Sequence, residues 1–461
     1  MIDVEEIEDK YICYECIGDS FLGNEVKSKS IQQKCSYCEK TTESISLEDL
    51  ADKVKYVLDN FHTRTSTEPT DLEYGMIKNF NHDWERHGEN IIYVIQEFLS
   101  ADESIAKDIQ KYLYVNDYSK IEEYYEEGAY DENSHYQEAN LEDKIFGTLW
   151  DEFKTELKTK NRFFSTRAKE ILDEIFSDIH KHATYKNKTA VNNMRISTLY
   201  RARVAKDFDC LSTILKNPIV ELAPPPPAIS KNGRMNPTGI SVFYGVLETD
   251  TCIAEVRPPV GSKVVIGGFK LEKDVRILNL ETLTERHVKE SMFSSEYSKS
   301  SSLTVFFKNL VDDLCKPVTD DNENLEYLPS QVVAEYLANM VNPKIDGILF
   351  KSTQYETGTN IVLFNHAISV MPCKMPKDKD VIVEYAYDGN PEDNITCINV
   401  FDKTPSKSKI IETDEVKDTM KYTLKLDLKD IKVLRIESVK FISSNEKVNR
   451  YSFDIETCTD F

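Results

Sequence analysis

Two groups of residues in this chain have the types and spacing to do chemistry. The first is Cys13-x2-Cys16 followed by Cys35-x2-Cys38, with 18 residues between the pairs. Each Cys-x2-Cys turn presents two thiolates to one ion, and four thiolates fill the tetrahedral shell of zinc with no position left open. Such a site is structural rather than catalytic. The intervening IGDSFLGNEVKSKSIQQK reads as too polar to pack a core unaided, so metal is expected to take the place of one. The second group lies in GRMNPTGISVFYGVLETDTCIAEVRP, Gly233 to Pro258. Arg234 carries a planar fork suited to phosphate oxygens. Tyr244 offers a ring face for stacking, and a buried carboxylate, expected at Glu255, can stabilise a cation developing in a transition state.

These side chains need elements that hold them. The run PPPPAISKNGRMNPTG enforces an extended approach and a tight turn, which places Arg234 on a stiff loop. Ile240 to Val246 reads as a buried strand carrying Tyr244; Thr249 or Asp250 is expected to cap the next helix, with Glu255 near its second turn. KVVIGGFKL, VRILNL and VLRIESVKFIS read as further β-rich segments. Upstream, Ser46 is a candidate N-cap, and Leu47, Leu50, Val54, Val57, Leu58 and Phe61 recur at helical spacing. The same periodicity in ENIIYVIQEFL, DKIFGTLWDEFKTEL and FFSTRAKEILDEIFSDIHKHA predicts a helical domain over residues 46–190. Residues 113–143 carry ten acidic residues, one lysine and six tyrosines and read as a solvated acidic loop, with partner docking as the alternative. His180 and His182 fit a helix C-terminus, where they complement the dipole.

The composition narrows the function classes. A formal net charge of −23 lacks the basic footprint that phosphate backbones select, so nucleic acid is not an expected partner. No run of 18 apolar residues and no signal-like start occurs, so neither membrane insertion nor export is expected and a cytoplasmic setting is. Of ten cysteines, four stand in the two pairs and six are scattered, a pattern of metal binding in a reducing compartment rather than of a disulfide framework.

The order YRAR, GRMNPTG, FYG, TCIAEV and DGILFKSTQYETGTNIVLF resembles the RES domain, named for its Arg, Glu and Ser. The resemblance implies a multidomain chain: a zinc-ribbon-like module over residues 1–45, the all-α domain over 46–190, and an α+β RES domain with a C-terminal extension over 191–461, similar in fold to ADP-ribosyltransferases. RES proteins are bacterial toxins that consume NAD and are typically silenced by an antitoxin. Matched residue by residue, the resemblance assigns catalysis to Arg234, Tyr244, Glu255 and Ser352, and contacts with NAD to Arg201, Arg234 and Tyr244. Arg203 is the alternative to Arg201. Asn360 is a further candidate for that contact, with a turn role as its alternative. The implied activity is NAD glycohydrolase or NAD phosphorylase, and a neutralising or regulatory protein is an implied partner. The front end is similar to regions fused to some RES domains, and the helical part to HEPN domains. The HEPN nuclease mark, Arg followed after four to six residues by His, is absent from the sequence.

Two other readings stay open at this stage. One is a transferase passing ADP-ribose to a macromolecule. The other is a non-catalytic protein that recruits partners through its zinc module and acidic helices.

Overall fold

The computed structural model describes residues 9–80, 84–117, 128–139, 145–316, 323–372, 381–387, 395–402 and 421–440. Its contacts define two compact units: residues 1–191 with 279–316, and residues 192–278 with 317–461. The sequence order suggests cuts after 45 and 190; the contacts instead group 279–316 with the first unit. The cause is the 21-residue helix Ser295–Cys315, whose Phe306 lies 5.9 Å from Phe146 and 6.1 Å from Trp150, ring centre to ring centre, and whose Phe307 lies 6.2 Å from Phe176.

In the first unit, strands Tyr11–Cys13, Thr41–Ser46 and Ile31–Lys34 form a small sheet with Thr41–Ser46 at its centre. The segment between the cysteine pairs packs no core by itself but joins one built by neighbouring helices, so metal is not its only substitute for a core. Asp19 caps the helix Ser20–Lys29 by accepting from the Leu22 amide, and Leu22 and Val26 join one buried cluster with Leu50, Val54 and Ile91. Two apolar residues a turn apart suffice here because neighbouring helices supply the rest of the core. Ser46 caps Leu47–Phe61, and every apolar residue predicted for that helix is buried. Helices Ile91–Leu99, Glu103–Val115, Ile145–Thr155 and Thr166–Phe176 follow.

The expectation of an all-α region over 46–190 is corrected by a second small sheet, of His62–Arg64, His135–Glu138 and Glu89–Asn90. Its central strand comes from the acidic, tyrosine-rich segment. There Tyr130 and Tyr136 are core residues, and the Tyr130 hydroxyl donates to Asp59 at 2.7 Å. Residues 118–127 and 140–143 of that segment lie outside the described residues.

His182 is no exposed dipole partner either: it is 7% exposed, and its Nδ1 accepts from Arg286 Nε at 3.0 Å. Burial, with the Arg286 charge beside it, pushes the imidazole down to about 4. An unfolded histidine titrates near 6.5, so between these values the unfolded chain binds more protons and stability falls with falling pH. The full effect is on the order of 3 kcal/mol. Thermal unfolding followed from pH 7 to pH 4.5 is expected to show the first unit losing stability more steeply in the wild type than in His182→Gln; equal slopes would refute this.

The second unit is built on an eight-stranded sheet in the order Leu424–Arg435, Lys263–Leu271, Leu199–Ala205, Phe243–Val246, Thr359–Leu363, Gly347–Lys351, Val275–Asn279, Val191–Met194. Apolar residues cover both faces. Leu199, Phe243, Phe269 and Ile361 pack with Ile214 of the helix Phe208–Lys216, while Val246, Val264 and Ile266 pack with Cys252 of the helix Thr249–Val256. The sheet has a weak seam. Lys263–Leu271 and Leu199–Ala205 pair along seven positions, whereas Leu199–Ala205 and Phe243–Val246 share one pair, Tyr200 with Val246. Beyond that pair the two strands diverge.

Candidate functional site

The four N-terminal cysteines converge. Cys13 Sγ lies 3.6 Å from Cys16 Sγ and 3.5 Å from Cys38 Sγ, Cys16 Sγ lies 3.9 Å from Cys35 Sγ, and all four sulfurs fall within 4.8 Å of one another. A tetrahedron with zinc–sulfur bonds of about 2.3 Å has edges of about 3.8 Å, so the donor set fits that ion. Burial, together with neighbouring thiols, pushes Cys13 and Cys16 up. At Cys35 burial works the same way but is outweighed by amide donors from Cys38, Tyr37 and Cys13, which bring it to about 7. The site would be held by Cys13, Cys16, Cys35 and Cys38, and the ion's part would be to join the two turns.

The Arg234 loop is a closed turn. Gly233 N donates to Asn236 O at 2.9 Å and Asn236 N to Gly233 O at 3.3 Å. A Cβ on Gly233 would sit 2.6 Å from Asn236 Oδ1 and 2.8 Å from the Tyr244 hydroxyl, so only glycine fits. Tyr244 reaches the turn from its strand. Its hydroxyl accepts from Met235 N at 3.0 Å and donates to Asn236 Oδ1 at 3.0 Å, and burial pushes the phenol up to about 12. The guanidinium of Arg234 lies 5.5 Å from the centre of the Tyr327 ring.

Glu255 is the centre of a second constellation. Its Oε1 accepts from Ser352 Oγ at 2.6 Å and from Asn360 Nδ2 at 2.7 Å. Ser352 is 7% exposed, and its Oγ accepts from the amides of Gln354 and Tyr355, both at 3.1 Å. Those two donors occupy the hydroxyl's lone pairs and turn its proton toward Glu255. Asn360 is a strand residue, not a turn residue: on Thr359–Leu363 it pairs with Val246, and Val362 pairs with Tyr244. Side chains two apart on a strand share a face, so Asn360 is the diagonal neighbour of Tyr244. This links the two constellations on one sheet face. The carboxylate itself is exposed rather than buried as sequence reasoning had it, because the inward positions of its helix are taken by Thr251 and Cys252. The helix cap also differs from expectation. It is Glu248, whose Oε2 accepts from Thr251 Oγ1 at 3.0 Å and from Thr359 N at 2.9 Å, tying the helix start to the strand of Asn360.

Arg201 follows the single Tyr200–Val246 pair, where the seam opens. Its guanidinium lies 5.6 Å from the Phe243 ring centre, and Gly245 leaves room for that ring, since a Cβ there would meet it at 2.6 Å. Burial, reinforced by the Arg203 charge, lowers the guanidinium to about 10. Its Nη1 is buried with no hydrogen-bond partner among the described residues. A buried, unpaired cationic donor is costly, and an anionic ligand would relieve it. Arg203, the alternative, is exposed and committed to an ion pair with Glu221.

Residues 198–383 match the RES domain family model. No curated protein matches the chain, and no solved structure does. The RES match includes Arg201, Arg234, Tyr244, Glu255, Ser352 and Asn360, and excludes the cysteine cluster. Within the RES region, sequence reasoning missed Glu248, Asn236 and Gln331. Asn236 is 2% exposed, and its Nδ2 donates to carbonyls of Lys231, Pro237 and Ile240 at 2.8 to 3.2 Å. A signal for it exists in the Asn-Pro step of the turn; Gln331 has none, because its partners are distant in sequence, and the Glu248 contact that reaches the strand of Asn360 is equally distant. The RES region also holds a cleft of about 450 Å3 lined by Pro224 to Pro227, Ile240 and Ile368. None of the RES candidates lines it. Among the described residues no helix is long and apolar enough to cross a membrane.

Proposed function

We propose that the chain consumes NAD, breaking the bond between nicotinamide and ribose by hydrolysis or phosphorolysis. The match to the RES domain supports NAD as the substrate class. The observation that carries the reading is that Ser352 and Asn360 both donate to Oε1 of Glu255, leaving Oε2 with no protein partner among the described residues. A carboxylate held by one oxygen and presenting the other is pre-organised for positive charge.

In this reading Arg234 and Arg201 bind the pyrophosphate and Tyr244 lines the nicotinamide end. As the glycosidic C–N bond breaks, its electron pair leaves with nicotinamide, which departs neutral and needs no general acid. Ribose C1 takes on oxocarbenium character, and Glu255 stabilises that charge. Oxygen from water or inorganic phosphate then bonds to C1 and releases its proton to solvent. Ser352 and Asn360 serve as positioning residues for Glu255. A silencing partner protein belongs to the same reading and is supported by the family resemblance.

Product analysis by mass after incubating the purified full chain with NAD tests the proposal. Free nicotinamide is expected in either case. Phosphate that accelerates the reaction and appears in the ribosyl product marks a phosphorylase; ADP-ribose formed regardless of phosphate marks a hydrolase. ADP-ribose attached to the protein or to an added macromolecule would favour the transferase, and intact NAD would refute the reading.

A further inference from the structure

The turn that carries Arg234 is gripped from two sides, and one grip has no part in the reading above. Tyr244 and Asn236 engage the turn from the sheet. The other side faces the start of the helix Leu328–Asn339, where Tyr327, Ser330 and Gln331 stand at spacings of three and four and share one helix face. Gln331 is 6% exposed, and its Nε2 donates to Gly233 O at 2.8 Å, Asn236 O at 3.1 Å and Asn232 Oδ1 at 2.8 Å. Gly233 O and Asn236 O are the two carbonyls of the turn's reciprocal backbone pair, so a single amide group braces both of its hydrogen bonds. Ser330, 5% exposed, donates from Oγ to Arg234 O at 2.5 Å. Three carbonyls of a four-residue turn are thus taken by two adjacent helix residues, and the Tyr327 ring lies beside the guanidinium.

We infer that Tyr327, Ser330 and Gln331 form a clamp that sets the direction of Arg234, which makes them positioning residues for the phosphate-binding loop. The inference rests on the proposed role of Arg234. Its physical basis is entropic. An arginine on an unbraced turn must be ordered when the anion binds, whereas one whose backbone is fixed and whose guanidinium rests on a ring has lost that freedom beforehand. The clamp touches neither Glu255 nor its two donors, so it acts on binding and not on bond breaking.

The full chain is compared with Gln331→Met, which keeps length and volume but removes the amide donors, and with Ser330→Ala, Tyr327→Phe and Tyr327→Leu. Two readouts are taken: kcat and KM for NAD, and amide hydrogen exchange over residues 232–236. Gln331→Met is expected to raise KM about tenfold, the usual size of losing buried hydrogen bonds, with kcat within about twofold. Exchange over the turn should accelerate by a similar factor. Tyr327→Leu should raise KM more than Tyr327→Phe does, because the guanidinium lies over the ring. If Gln331→Met unfolds, Ser330→Ala and Tyr327→Leu decide by the same criteria. Unchanged exchange over 232–236, or a fall in kcat at constant KM, overturns the clamp. If the wild type leaves NAD intact, the functional reading fails, and exchange over the turn still decides whether these residues hold it.

Discussion

Replacing Glu255 by glutamine is expected to lower kcat for NAD cleavage by at least about a hundredfold, the usual consequence of losing one pre-organised electrostatic stabiliser. Glutamine keeps the shape, and its amide oxygen can still accept from Ser352 and Asn360. What disappears is the negative charge facing the developing ribosyl cation. KM should move little, since the carboxylate acts on the transition state and not on the phosphates. Arg234→Ala should do the opposite, raising KM more than Glu255→Gln does. The two variants together separate binding from chemistry, and each needs a circular-dichroism check of folding. Near-wild-type turnover by a folded Glu255→Gln protein would remove Glu255 from the mechanism, whatever the match to the RES domain implies.

The second large effect is expected at the cysteine cluster. Protein purified without chelator should contain about one zinc per chain, and Cys35→Ser should abolish that stoichiometry. Metal binding at such sites is worth roughly 10 kcal/mol or more, comparable to the whole stability of a domain. The loss should spread beyond the cysteines. Ile12 and Leu22, which flank them, share one buried cluster with Leu50, Val54, Ile91 and Ile109. Limited proteolysis is therefore expected to cut within residues 9–115 of Cys35→Ser while NAD cleavage by the second unit persists. Metal-free wild-type protein with unchanged unfolding would refute a structural zinc.

Much of the local structure was legible from residue order alone. The Ser46 cap and the apolar spacing behind it specified the helix Leu47–Phe61, because capping and a period near 3.6 are properties of adjacent turns. The spacing of Cys13, Cys16, Cys35 and Cys38 likewise announced a four-thiolate cluster before any fold was known, since each Cys-x2-Cys turn brings its own two sulfurs together. Arg234, Tyr244 and Glu255 fall within 22 residues and were legible as a loop, a strand and a helix. What no local rule could supply were the partners that make these side chains a candidate site. Ser352 and Asn360 meet Glu255 across 97 and 105 residues, and Gln331 reaches the Arg234 turn across 95 to 98. Those meetings depend on strand register: a slip of one residue between Phe243–Val246 and Thr359–Leu363 would turn Asn360 to the opposite face of the sheet, away from Glu255. The grouping of residues 279–316 with the first unit has the same origin, in aromatic contacts of Phe306 and Phe307 with rings more than a hundred positions earlier. Local sequence selects which element forms, through sterics and periodicity that act over a turn or two; which side chain faces Glu255 is decided by the packing of elements far apart in the chain, and only the tertiary structure holds that information.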